Sequence, residues 1–93
     1  MLKAITLALT LVATPLAAEA DACSQMGTMA AKIMEVRQIG VAVSKVIEIF
    51  EDDTMTAIIL AAYQVPRFST DEHQQRAIAD FRNEVEVMCY EAK

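Results

Sequence analysis

The two cysteines, Cys23 and Cys89, constrain the fold of this chain more than any other feature. They are the only cysteines among its 93 residues, and they lie near the two ends of the region that follows the N-terminal leader. A bond between them would close a loop over nearly the whole domain, which stabilises a small fold by about 4 kcal/mol. That is a large share of the roughly 5–15 kcal/mol by which proteins are stable. We therefore expect an intramolecular disulfide, with intermolecular pairing, a reactive thiol and metal binding as the alternatives.

The leader, residues 1–20, has the layout of a secretory signal peptide. One basic residue precedes an uncharged run over residues 4–12, and small residues follow. The run is shorter than the roughly 20 residues of a membrane span. We predict cleavage after Ala20 or after Ala18, with an uncleaved N-terminal anchor as the alternative. Lipidation of Cys23 is disfavoured because the residues before it do not form a lipobox. The expected location is the periplasm or the exterior, with no membrane attachment after cleavage.

The remaining residues, 21–93, are predicted to form a single small helical domain. The chain has only two glycines and two prolines, and it shows neither strand alternation nor hairpin turns, which indicates an all-α fold. Its net charge is −5, and the leader contributes one charge of each sign, so the mature part is equally acidic. Acidity argues against nucleic acid and anionic membrane surfaces as partners, because both attract clustered Lys and Arg. Solubility is the simplest use of this charge.

Hydrophobic periodicity and turn residues predict four helices, over about residues 21–39, 44–51, 55–64 and 71–90. Each has a candidate N-cap: Asp21, Ser44, Asp53 or Thr54, and Thr70 or a capping box of Ser69 with Glu72. Gly40 is expected to end the first helix, and Pro66 to end the third.

The first and last predicted helices each have one apolar face. The two faces comprise Cys23, Met26, Ala30, Ile33 and Arg37, and Gln74, Ile78, Phe81, Val85 and Met88. If the helices pack antiparallel, small Ala30 meets large Phe81, and the same register brings Cys23 to Cys89. The sequence therefore predicts a small bundle of about four helices, the first and last antiparallel and joined by one disulfide.

Arg37 stands out because it lies on the predicted inner face, directly before Gln38. A buried arginine must be paired and hydrogen-bonded. In the antiparallel register its partners would be Gln74 or Gln75, or Asp71. Two interpretations remain open: a polar lock at the far end of the helix pair, or a site that binds a partner.

A second group surrounds Pro66 and consists of Tyr63, Arg67 and Phe68. Aromatic residues and arginine are favoured in protein interfaces, so this group is a candidate contact patch. Packing against the core is the alternative. Together with Arg37 and Gln38, these three residues are our candidate partner-binding residues.

Metal binding has one candidate cluster, Cys23 with Met26 and Met29, whose soft sulfur ligands would suit Cu(I). Methionine at helical spacing is usually core, and a disulfide would remove the thiolate. The acids Glu51, Asp52 and Asp53 lack the alternating spacing of a calcium loop. We therefore predict no metal site and no cofactor.

Catalysis has no candidate constellation in the sequence. His73 is the single histidine, and the hydroxyls near it, Ser69 and Thr70, are explained by helix capping. No zinc-protease, phosphate-loop or nucleophile-elbow motif occurs. We predict that the protein is not an enzyme.

Several short stretches resemble those of short exported helical proteins with paired cysteines from proteobacteria and their phages. They are Cys23, residues 33–40 with the motif Arg37-Gln38-x-Gly40, Ala62-Tyr63 with Pro66, Ala77-Ile78, Phe81-Arg82-Asn83 and Cys89-Tyr90. The resemblance covers nearly the whole mature chain. It implies a bacterial or phage origin and a periplasmic address. Because no activity is assigned to such proteins, it implies no catalytic residue.

The expected function is that of a small periplasmic protein, binding or structural, without catalysis. If the role is binding, the partner would be a protein, and neither its identity nor the oligomeric state follows from the sequence. The alternative is an acid-stress chaperone of the periplasm. Its acidic composition and many Met and Ile residues would suit a protein that loosens at low pH and exposes apolar faces.

Overall fold

Four helices make up the part of the chain that the computed structural model describes, residues 22–92. Helix α1 covers residues 22–38, α2 Val43–Ile49, α3 Asp53–Ala62 and α4 Asp71–Glu91. Residues 22–92 contain no strand, in agreement with the predicted all-α fold. The predicted signal peptide and the predicted cap Asp21 lie outside the described residues.

Two of the predicted N-caps are displaced by one or two positions. Helix α2 begins after Ala42, which makes no side-chain cap, so Ser44 lies inside the helix rather than before it. Helix α3 is capped by Asp52, whose carboxylate accepts a hydrogen bond of 3.1 Å from the backbone N–H of Thr54. Asp52 has the extended backbone that a cap requires, whereas Asp53 is already helical.

The C-terminal end of α1 and the start of α4 follow the predicted signals. Gly40 has φ of 94°, a left-handed conformation that favours glycine, and Val41 N–H bonds back to Val36 O at 3.1 Å. This is the pattern of a Schellman motif. At the start of α4, Thr70 itself is the cap and accepts from His73 N–H at 3.2 Å. The alternative capping box is not formed.

The predicted pairing of α1 with α4 is confirmed. Cys23 and Cys89 form a disulfide with their Cα atoms 5.5 Å apart. One turn further along, Gly27 lies against the side chain of Glu86, and a Cβ at Gly27 would come within 2.7 Å of Glu86 Cδ. Both contacts fit an antiparallel pair in the predicted register. Gly27 therefore leaves the space that the Glu86 side chain occupies between the two helices.

The core lies between α1, α3 and α4, with Val46 contributed by α2. Its fully buried apolar members include Ala30, Ile33, Met34, Ile59, Ala62, Phe81 and Val85. One predicted core residue is wrong: Met88 is 57% exposed. Ala77, one turn before Phe81, is buried in the same helix face. Met88 shares that face but lies in the last turns of α4, where an open groove replaces the core.

Candidate functional site

Gln38 is the one buried polar side chain among the described residues, with 1% of its surface exposed. Its Nε2 donates to the carbonyl of Pro66 at 2.9 Å, and its Oε1 accepts from the backbone N–H of Phe68 at 2.8 Å. Nε2 also lies 3.5 Å from Met34 Sδ. The amide therefore satisfies both a donor and an acceptor of the loop between α3 and α4, as a buried polar group must.

Arg37 makes different contacts from those predicted. Its Nε donates to the carbonyl of Val65 at 2.9 Å, and its guanidinium lies 5.1 Å from the centre of the Tyr63 ring. The expected partners at the start of α4 are wrong, because the chain of the α3–α4 loop lies between Arg37 and that helix. Gln74 instead donates to the carbonyl of Phe68 at 2.7 Å. The arginine thus binds main chain and an aromatic face rather than a carboxylate.

Tyr63 joins the end of α3 to the turn after α1. Its hydroxyl donates to the carbonyl of Val41 at 2.6 Å. Burial raises the pKa of the Tyr63 phenol above its ordinary value of 10.0, and the positive charge of Arg37 opposes that rise. The protonated hydroxyl, the form that can donate to Val41, is therefore favoured.

Arg67 also connects the α3–α4 loop to α1, and here the side chain of the loop is the donor. Its Nε donates to the carbonyl of Gln38 at 3.2 Å, at the end of α1 where carbonyls lack helical partners. Its guanidinium lies over Gly40, where a Cβ would come 2.9 Å from Nη2. Glycine at this position thus serves both the left-handed turn and the contact with Arg67.

The structure brings all five candidate partner-binding residues together at one end of the bundle. We call this group the loop clamp: Arg37, Gln38, Tyr63, Arg67 and Phe68. Each makes a hydrogen bond with its side chain or backbone that ties the α3–α4 loop or the end of α3 to the end of α1. These contacts support the polar-lock interpretation. Binding of a partner by the same residues stays a prediction.

The disulfide changes the candidate soft-metal cluster that the sequence contains. Because Cys23 is bonded to Cys89, it provides no thiolate to join Met26 and Met29. Within residues 22–92, no group of three or more His, Cys, Asp or Glu side chains is arranged to hold a metal ion. His73 is exposed, and its Nδ1 lies 2.6 Å from the hydroxyl of Thr70, the cap of its own helix.

A groove of about 410 Å³ opens at the other end of the bundle, beside the disulfide. It lies between α1, α3 and α4, and apolar atoms make up most of its walls. We call it the disulfide-end groove. Its lining residues are Met26, Thr54, Ala57, Ile58, Val85, Met88, Cys89 and Ala92. Thr54 is the single polar side chain among them, so the walls can contact apolar groups and make few specific hydrogen bonds.

A second, shallower depression adjoins this groove along α4. The two share Met88, and the depression is otherwise lined by Asp80, Asn83, Glu84 and Val87. Val87 and Met88 are both about half exposed. The surface of α4 therefore changes from apolar at the groove to acidic beside it.

Sequence reasoning missed the disulfide-end groove. A signal was present: residues 54–66 contain no charged side chain. A helix that is apolar on all sides is normally buried on all sides. Yet Ala57, Leu60 and Ala61 of α3 are exposed, Leu60 at 47%. A helix without charge after its first residue, in a small acidic domain, therefore indicated an apolar surface without a partner inside the fold.

Comparisons with models of protein families, with curated proteins and with solved structures found no match to this chain. The function is therefore inferred from the sequence and geometry of the chain itself. Its disulfide is typical of a non-reducing, extracytoplasmic setting. No helix within residues 22–92 has the length and apolar character needed to cross a membrane.

Proposed function

We propose that this chain is a small, non-catalytic binding or structural protein of the periplasm. The extracytoplasmic disulfide supports the compartment, together with the signal-peptide pattern of residues 1–20 and the resemblance to exported proteobacterial and phage proteins. The described residues form a polar network that holds the fold together and an apolar groove that is open at the surface.

The observation that carries the proposal is the contrast between the two ends of the helix pair. At one end the loop clamp uses the side chains of Arg37, Gln38 and Arg67 to hold main-chain groups. At the other end the disulfide fastens the pair while the groove beside it stays open. The fastened helices form a rigid frame, which lowers the entropy cost of binding in the groove.

The test uses the exported protein with an affinity tag at its C terminus. N-terminal sequencing should find Asp21 or Glu19 as the first residue, and osmotic-shock fractions should contain the protein. Crosslinking before lysis, followed by mass spectrometry, should recover a defined partner. The proposal is wrong if the pure protein turns over a defined substrate and a point substitution abolishes that turnover.

A second candidate is an acid-stress chaperone. The observation that favours it is the exposure of large apolar side chains, among them Ile39 and Ile49, on the folded surface. Such a protein would have to loosen at low pH and protect a client from aggregation. Two features oppose loosening, because neither a disulfide nor a bond between Gln38 and main chain depends on acid.

A further inference from the structure

We propose that the disulfide-end groove binds a cationic amphipathic segment of a partner protein. The inference rests on the proposed binding function and names the partner's chemistry. The groove would take the apolar side chains of the segment, and the acids around it would face Lys or Arg side chains. This is the helix-in-groove mode of peptide recognition.

Exposed apolar residues of α3 and α4 meet at the groove and form one continuous surface. Ala57 and Met88 face the groove from α3 and α4 and are both exposed. Leu60, on the turn after Ala57, extends this surface along α3. Met26 and Met88 add flexible thioethers, a side chain suited to surfaces that adapt to a ligand.

Acidic residues lie near the groove on both α3 and α4. Asp52 caps α3 beside Thr54 on one side, and Asp80 and Glu84 share the adjoining depression with Met88 on the other. Among residues 22–92, no Lys, Arg or His lines the groove or that depression. Acids on both sides of an apolar strip are complementary to a helix that carries Lys or Arg beside an apolar face.

Both arginines on α4 are paired with acids of the same helix. Arg76 lies 3.7 Å from Glu72, and Arg82 lies 3.1 Å from Glu86, each one turn away. Asp80 and Glu84 are exposed and take part in neither of these pairs. On the side away from the groove they line a further depression together with His73 and Arg76, so positive charge lies on that side only.

Two other occupants fit the groove less well. A second copy of the chain would bring a net charge of −5 and the same acidic surroundings to the interface, and like charges across an interface are costly. A small ligand needs several converging polar groups for orientation, and Thr54 is the single polar side chain lining the groove.

The probe is a synthetic Leu/Lys peptide of about 14 residues, long enough for roughly four helical turns. A scrambled peptide of the same composition without an amphipathic pattern is the first control, and a Leu/Glu peptide is the second. Binding to the oxidised, signal-cleaved protein is measured by calorimetry, and the contacted residues by NMR shifts. We expect shifts at Ala57, Ile58 and Met88, and an affinity that falls as salt rises from about 50 to 300 mM.

A matched pair of variants locates the site. Ala57→Arg places bulk and positive charge in the groove, and Ala79→Arg makes the same change at an exposed helical position on the opposite side of α4 from Met88. We expect Ala57→Arg to weaken binding by at least about tenfold and Ala79→Arg to leave it unchanged. Helical circular dichroism shows that both variants remain folded, and Met88→Ala provides a second test if Ala57→Arg does not fold.

Other outcomes overturn the inference. Equal binding of the Leu/Lys and scrambled peptides, or equal weakening by both variants, would mean nonspecific attraction between opposite charges. A dimer in solution that Ala57→Arg dissociates would assign the groove to a second copy. If a crosslinked partner binds the Ala57→Arg variant as well as the wild type, the binding function stands and this groove is not its site. If neither peptide nor crosslinked partner binds, the proposed function fails too.

Discussion

Gln38 accepts a hydrogen bond of 2.8 Å from the backbone N–H of Phe68, a residue 30 positions further along the chain. The same amide donates to Pro66 O at 2.9 Å, so one side chain replaces two missing main-chain partners of the α3–α4 loop. A loop without regular structure can be held close to the core only if its polar groups are satisfied in this way. Gln38 is therefore the central residue of the loop clamp.

Replacing Gln38 with Ala should destabilise the fold by about 2–4 kcal/mol. The substitution removes the partners of Pro66 O and Phe68 N–H and opens a cavity. Pro66 is exposed and its carbonyl can bond to water, so the loss comes mainly from the cavity and from Phe68 N–H, since an unsatisfied buried group costs roughly 1–3 kcal/mol. Urea denaturation followed by circular dichroism measures the change. Gln75→Ala, at an exposed position on α4, should change stability by no more than about 0.5 kcal/mol. A loss of similar size in both variants would contradict the assigned role.

Removing the disulfide should cost about 4 kcal/mol, because it closes a chain segment of 66 residues. Mass spectrometry with and without reductant tests the bond itself in the exported protein. Urea denaturation then compares oxidised protein, reduced protein and the double variant C23A/C89A. The reduced protein and the double variant should be similarly destabilised. A loss below about 1 kcal/mol would show that the loop clamp alone maintains the pairing of α1 with α4.

The contact between Gly27 and Glu86 predicts coupled effects of two substitutions. Alanine in place of a mid-helix glycine normally stabilises by roughly 0.5–1 kcal/mol. In the wild type, the new Cβ would collide with the Glu86 side chain and displace it from Arg82, so the gain should be reduced. In a Glu86→Ala background, Gly27→Ala should show the full gain. Equal effects in both backgrounds, in a double-mutant cycle by urea denaturation, would refute this contact.

Tyr63 should make the fold sensitive to alkali. Burial raises its pKa in the folded protein above the ordinary 10.0, so the folded state holds the phenolic proton more tightly than the unfolded state. Its stabilising effect is complete below about pH 10 and is lost as pH rises through the folded-state pKa. Deprotonation also removes the donor that bonds to Val41 O.

The measurement compares wild type with Tyr63→Phe by urea denaturation between about pH 7 and 11. At neutral pH the variant should be less stable by about 0.5–1.5 kcal/mol, the usual net value of one hydrogen bond. The difference should shrink as pH rises above about 10. An unchanged difference across this range would contradict the prediction.

Acid should leave the fold largely intact. The described residues form two ion pairs, Arg76–Glu72 and Arg82–Glu86, and such exposed helical pairs contribute roughly 0–1 kcal/mol each. The disulfide and the bonds of Gln38 persist when carboxylates are protonated. Near-UV circular dichroism at about pH 2.5, below the ordinary carboxyl pKa values of about 4, should resemble that at pH 7. Loss of the signal together with protection of a client protein would favour the chaperone alternative.

The sequence singles out the residues of the loop clamp but does not predict their contacts. In the sequence, Arg37 stands out because it lies on the predicted inner face of α1, directly before Gln38. Tyr63, Arg67 and Phe68 stand out because they surround Pro66. The structure joins the two groups, but it buries Gln38 fully and Arg37 only in part. Adjacent helical positions differ by about 100° in direction, so which of them is covered depends on the path of the α3–α4 loop. That path is a tertiary property.

The groove was not predicted for a related reason. Met88 continues the periodic face of Phe81 and Val85, and periodicity alone places it in the core. Near the end of α4, however, α1 and α3 do not close over that face, and Met88 is exposed. A hydrophobic pattern identifies the side of a helix that is apolar. It contains no information on where along that side the neighbouring helices separate.

By itself, the sequence determined that residues 22–92 are all-α, and it determined the register of the first and last helices. Both depend on local information: helical periodicity, capping residues, and two cysteines on faces that pack together in one antiparallel alignment. Only the tertiary structure decided that Gln38 rather than Arg37 is the buried partner of the loop, and that a groove opens beside the disulfide. Those features depend on the relative placement of segments distant in sequence, which side-chain packing sets and no local pattern specifies.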